Sequence, residues 1–92
     1  VDRILSLFGD SLPDSLAELR ASCHEGDGAR AAGVAHRLKS AARSIGAARL
    51  GELCEALEKA GAEAGAAQLA EHFGALEAEA GAVAQRLQER RR

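Results

Sequence analysis

The chain has 92 residues, a formal net charge of −2, and 47% hydrophobic residues, with Phe8 and Phe73 as its only aromatics. That length fits one domain with a modest core, and the charge balance argues against a nucleic-acid binder, which needs a basic excess to neutralise phosphates. No apolar run approaches the roughly 18 residues of a membrane span, and no charged segment leads into an apolar one as in a signal peptide. With 22 Ala and 12 Leu and few β-branched residues, helix is favoured over sheet. The chain starts at Val1 and not at Met. Residues 1–92 are therefore expected to be a single domain excised from a longer protein.

The first predicted element is a short apolar helix from Ile4 to Phe8, ending at Gly9. Ser11 then reads as an N-cap, with Asp14 as its capping-box partner and Pro13 in the tolerated first turn. The next helix, about 12–25, carries Leu12, Leu16, Leu19 and Cys23 in one stripe. Gly26 and Asp27 mark a helix end followed by an N-cap. The helix at about 28–45 has Ala31, Val34, Ala35, Leu38, Ala42 and Ile45 on its apolar line. After Gly46 a helix over about 47–60 shows Leu50, Leu53, Cys54, Leu57 and Ala60. The last, about 65–90, steps through Leu69, Phe73, Leu76, Ala80, Val83 and Leu87. Four long amphipathic helices with short connections predict an all-α, antiparallel up-down four-helix bundle with a short N-terminal capping helix. The narrow stripes can be consumed within one bundle, so a monomer is expected.

Cys23 and Cys54 are too few for a disulfide framework and lack Cys-x-x-Cys spacing. They fall on apolar stripes, which suits buried thiols better than a zinc site, and free thiols imply a reducing, cytoplasmic setting. His24 stands at a helix end, where a cation favours the dipole, and His72 adjoins the Phe73 stripe. The Arg-rich stretch from Arg86 to Arg92 reads as a C-terminal turn complementing the helix dipole.

His36 differs from the other histidines. It lies two residues before Leu38, about 160° from the core line of its helix, and so faces solvent. Small residues, Ala29, Ala32, Gly33 and Ser40, clear the space around it, and the cations Lys39 and Arg43 follow at one and two turns. An exposed neutral imidazole is a nucleophile at pH 7. If it attacked phosphorus, neighbouring cations would stabilise the phosphoimidazole. No acid or base partner for His36, no Gly-rich phosphate cradle and no metal-ligand cluster is evident, so the segment would need another protein's catalytic site.

The run Ala35-His36-Arg37-Leu38-Lys39-Ser40-Ala41-Ala42-Arg43-Ser44-Ile45-Gly46-Ala47 resembles the signature of histidine-containing phosphotransfer (HPt) domains: a His, Leu-Lys-Gly, then a small-residue run ending in a hydrophobic residue, Gly and Ala. Leu50, Leu53-Cys54 and Leu57-Glu58 resemble the family's next helix, and the preceding Leu16 to Leu19 and the Gly26-Asp27 turn resemble the family's approach to His36. Ser40 departs from the usual Gly. The resemblance implies that His36 is the phosphoacceptor, at Nε2, and that Lys39 helps hold the phosphoryl group. It further implies partner contacts at Ala29, Ala32, Gly33, Arg37, Ser40, Arg43 and Ser44. The partners it implies are receiver domains of a response regulator or a hybrid sensor kinase, which would supply Mg²⁺. The resemblance also implies that the domain itself binds no cofactor or metal and is no enzyme in its own right. It would be cytoplasmic and bacterial, free-standing or the C-terminal part of a hybrid sensor kinase. The competing expectation is a non-phosphorylated helical interaction module that regulates a kinase by binding.

Overall fold

The computed structural model describes the backbone of residues 2–61 and 63–91 and the side chains of residues 9–61 and 63–89. Four helices run in order: α1 (Asp2–His24), α2 (Gly28–Ser44), α3 (Ala48–Ala60) and α4 (Ala66–Arg91). No strand occurs among the described residues. α1 packs on α2, α2 on α3, α3 on α4, and α4 closes the ring on α1. At 1.5 Å per residue a helix of 26 residues is about 39 Å long, and α4 accordingly sets the 41 Å long axis of a body 17 Å across.

The N-terminal expectation is corrected. α1 is one helix from Asp2 to His24, so the separate capping helix over 4–8, its stop at Gly9 and the N-cap at Ser11 are not formed, and Pro13 lies inside the helix. Proline removes the N–H that would bond the Gly9 carbonyl. Hydrophobic spacing outweighs that loss: Leu12, Leu16, Leu19 and Cys23 pack into the core, and in the sequence Leu5 and Phe8 extend the same three-and-four stepping back across Gly9.

The first two connections share one backbone design. After α1, Gly26 has φ +71°, its N–H bonds the Cys23 carbonyl, and the Asp27 N–H reaches the Ser22 carbonyl at 2.9 Å. After α2, Gly46 has φ +78°, its N–H bonds the Arg43 carbonyl, and the Ala47 N–H reaches the Ala42 carbonyl at 2.8 Å. Both are Schellman caps, which need a residue in the left-handed region and so favour glycine. They differ in how the next helix begins. Asp27 caps α2 through its side chain, which accepts from the Arg30 N–H at 3.1 Å. Ala47 starts α3 with no side-chain cap and instead packs, with Ile45, against the core.

Leucines from α1, α3 and α4 fill the centre: Leu19, Leu50, Leu57, Leu69 and Leu76 are fully buried, and Leu38 of α2 is buried beside them. Each contributes about 1.5–3 kcal/mol by leaving water. Ala31, Ala35, Ala42 and Ala80 let the helices approach between them. Ser22, also buried, donates its hydroxyl to the Glu18 carbonyl at 2.8 Å and is thereby satisfied. Of the described glycines Gly61 is the most tightly enclosed: a Cβ there would come within 2.7 Å of the Gly28 carbonyl oxygen and 2.8 Å of the Ala32 Cβ. That contact holds the end of α3 against the start of α2.

Candidate functional site

α2 buries Ala31, Val34, Ala35, Leu38 and Ala42. The helical period then leaves Ala29, Gly33, His36, Arg37, Ser40, Arg43 and Ser44 exposed, with Ala32 and Lys39 half-buried toward α3. The His36 side chain is 59% exposed, as its position opposite the core line predicts. Gly33 is open: a Cβ there would meet nothing within 4 Å.

His36 nevertheless has a partner that α2 alone does not reveal. The Glu58 carboxylate of α3 lies between two side chains of α2, with Oε2 2.7 Å from His36 Nδ1 and Oε1 2.6 Å from Lys39 Nζ. The expectation of a histidine free of any acid is therefore corrected. The reason is geometric. α2 and α3 meet across the tight Gly46 turn, and their contacts run in opposite order, from Ala32 with Gly61 to Arg43 with Gly51. His36 stands eleven residues before Ala47 and Glu58 eleven after it. Counting outward from the turn was the signal that could have found Glu58.

This arrangement fixes the tautomer of the neutral imidazole. An ionised carboxylate only accepts hydrogen bonds, so Nδ1 carries the proton and donates it. The lone pair then sits on Nε2, the ring nitrogen without that hydrogen bond. Glu58 is held ionised: its carboxyl lies below the ordinary value of 4.5, first because Lys39 donates to it, with a further contribution from His36 against partial desolvation. Lys39, with its side chain 14% exposed, is clamped along the seam. Cys54, one turn before Glu58, is fully buried. Burial pushes its thiol up to about 12, a shift that Lys39 opposes and Glu58 reinforces. Cys23 is buried as well.

The remaining expected site residues divide. Arg43 is drawn away along α3: Glu55 takes its guanidinium at 3.6 Å, and its stem lies over Gly51, where a Cβ would be 3.2 Å from Arg43 Cγ. Arg37, on the opposite edge of the ridge, pairs with Glu18 of α1 at 3.2 Å. The Ser40 hydroxyl donates to the His36 carbonyl at 3.3 Å and the Ser44 hydroxyl to the Ser40 carbonyl at 3.0 Å. Both hydroxyl protons are thus spent on the helix backbone. Ala29 and Gly33 are exposed and Ala32 is half-buried on the turns of α2 before His36.

No helix among the described residues is long and apolar enough to cross a membrane. No curated protein and no solved structure matches the chain. The family model for the Hpt domain matches residues 3–89. That match spans all four helices and the exposed histidine, and the chain belongs to the Hpt domain family, whose members carry phosphoryl groups on histidine in phosphorelays and interact with receiver domains.

Proposed function

We propose that this domain relays a phosphoryl group through Nε2 of His36, taking it from an aspartyl phosphate of one receiver domain and delivering it to the aspartate of another. The observation that carries the reading is the Glu58 bridge. It supplies an oriented imidazole with its nucleophilic nitrogen on the solvent side and provides nothing else that could cleave a phosphate bond. Nε2 attacks phosphorus, the P–O bond to the aspartate breaks, and the carboxylate leaves. Nδ1 keeps its proton, hydrogen-bonded to Glu58, so the positive charge arising on the ring is met by a carboxylate. Lys39 stands one turn on, ready to share its ammonium between Glu58 and the phosphoryl oxygens. Return transfer is the same step reversed.

In this reading the bundle is an up-down antiparallel one and acts as a monomer in the cytoplasm, free-standing or at the C-terminal end of a hybrid sensor kinase. Mg²⁺ sits with the receiver, and no residue of this chain is assigned to it. Ala29, Ala32, Gly33, Arg37, Ser40 and Ser44 form the low surface on which the receiver docks, flanked by Arg43.

The test is incubation with receiver domains phosphorylated by acetyl phosphate. The wild type is expected to gain acid-labile phosphate, and His36→Gln none, at unchanged melting temperature. Equal labelling of His36→Gln overturns the assignment.

A further inference from the structure

α2 carries four cations, Arg30, Arg37, Lys39 and Arg43, and no carboxylate. Each cation is met by an acid from a neighbouring segment: Glu25 for Arg30, Glu18 for Arg37, Glu58 for Lys39 and Glu55 for Arg43. The exposed face is therefore a basic ridge between two acidic rails. A long polyanion such as a nucleic acid would lie across the rails and be repelled. A compact acidic spot no wider than the ridge would be attracted. A receiver site fits that description, because an aspartate phosphorylated with Mg²⁺ needs further carboxylates to hold the ion.

Arg37 is placed differently from the other three cations. It directly follows His36, its side chain is 68% exposed, and it borders a groove of about 210 Å³ on the α1–α2 seam, lined also by Ser11, Ser15, Val34, Leu38 and Ala41. Its pair with Glu18 uses a single nitrogen, Nη2, for both carboxylate oxygens, at 3.2 and 3.3 Å. A guanidinium pairs best through two nitrogens at once, and exposed pairs of this kind are weak. The pair is thus poised for exchange.

We propose that this groove receives an acidic side chain of the receiver, which displaces Glu18 and takes the Arg37 guanidinium in a two-nitrogen pair, making Arg37 a specificity-determining residue for phosphoryl transfer. The inference rests on the phosphocarrier reading and adds to it which receivers are served: those with a carboxylate beside the phosphoacceptor pocket on the side that covers α1.

The experiment uses the full chain and two phosphoryl donors. Phosphoramidate phosphorylates imidazole directly with loss of ammonia and needs no docking. A panel of receiver domains, phosphorylated by acetyl phosphate and differing in that carboxylate, needs docking. Arg37→Glu should lose at least tenfold in kcat/KM with every receiver that serves the wild type, a loss several-fold larger than any seen with phosphoramidate. Glu18→Gln, which releases Arg37, should transfer at least as fast as the wild type. Ser15→Leu, which fills the groove, should slow transfer without changing phosphoramidate labelling. Rates within twofold of wild type for Arg37→Glu overturn the proposal. So does an Arg37-dependent affinity for a labelled oligonucleotide at 150 mM salt, which would assign the face to nucleic acid. A wild type that takes label from neither donor overturns the phosphocarrier reading, and this inference with it.

Discussion

Gly33 lies within α2 and Gly61 packs against it, and the two lack side chains for opposite reasons. At Gly61 the fold itself forbids a methyl group, because the Gly28 carbonyl and the Ala32 Cβ already occupy its place. At Gly33, on the open ridge one turn before His36, a methyl would touch nothing. Smallness at the first position holds two helices together. At the second it makes no contact within the isolated domain, and the proposed docking of a receiver would give it a use. Composition alone, with ten glycines and 22 alanines, cannot separate these two uses; the surroundings of each position do.

Substitutions at the two glycines probe this contrast most directly. Gly61→Ala overpacks the α2–α3 seam and is expected to destabilise the fold by about 1–3 kcal/mol, a fall in melting temperature of roughly 4–8 °C per kcal/mol for a domain of this size. An unchanged melting temperature would remove the distinction. Gly33→Leu should leave the melting temperature unchanged or raised but slow phosphoryl transfer from a receiver at least tenfold, equivalent to about 1.4 kcal/mol in the transition state. Unimpaired transfer would mean the partner does not approach there. Gly33→Ala should stabilise the helix by about 0.5–1 kcal/mol, which a denaturant titration can resolve.

The seam also makes a prediction about pH. Glu58 has a depressed pKa in the fold, so its contribution to stability is fully present above the unfolded value and is lost as pH falls through the folded one. The bridge to His36 should therefore be intact throughout the neutral range and break only below the ordinary carboxyl value of 4.5. A carbon-detected NMR titration of the Glu58 carboxyl should show a midpoint below that value, and Lys39→Met should move the midpoint upward. A wild-type midpoint at or above 4.5 would mean that Lys39 does not pair with Glu58 in solution.

Much of the fold was legible because each helix advertises its own ends and its own inner face. Gly26 and Gly46 fix two helix stops through their positive φ, and Asp27 caps α2. The core line of α2 was readable from spacing, and with it the exposure of His36. What escaped was relational. Pro13 and Gly9 read locally as a break, whereas the apolar stripe on both sides of them carries α1 through. Glu58 and Glu55 belong to another helix than the cations they hold, so the periodicity of α2 could not show them. Arg43 lies nearly in line with His36 on a helical wheel, yet the space above Gly51 and the charge of Glu55 turn it toward α3.

The three-residue Gly46 turn makes the α2–α3 hairpin a ruler. The histidine and its carboxylate are 22 residues apart, and every one of those residues lies in a helix or in a turn whose three N–H groups are all bonded. One residue added within either helix between them would carry the carboxylate about 1.5 Å along and 100° around the axis, out of reach of Nδ1. The same addition between α3 and α4 would leave the pair untouched. Tolerance to insertion should therefore be uneven along this small domain: strict between His36 and Glu58, and permissive in the connection between α3 and α4.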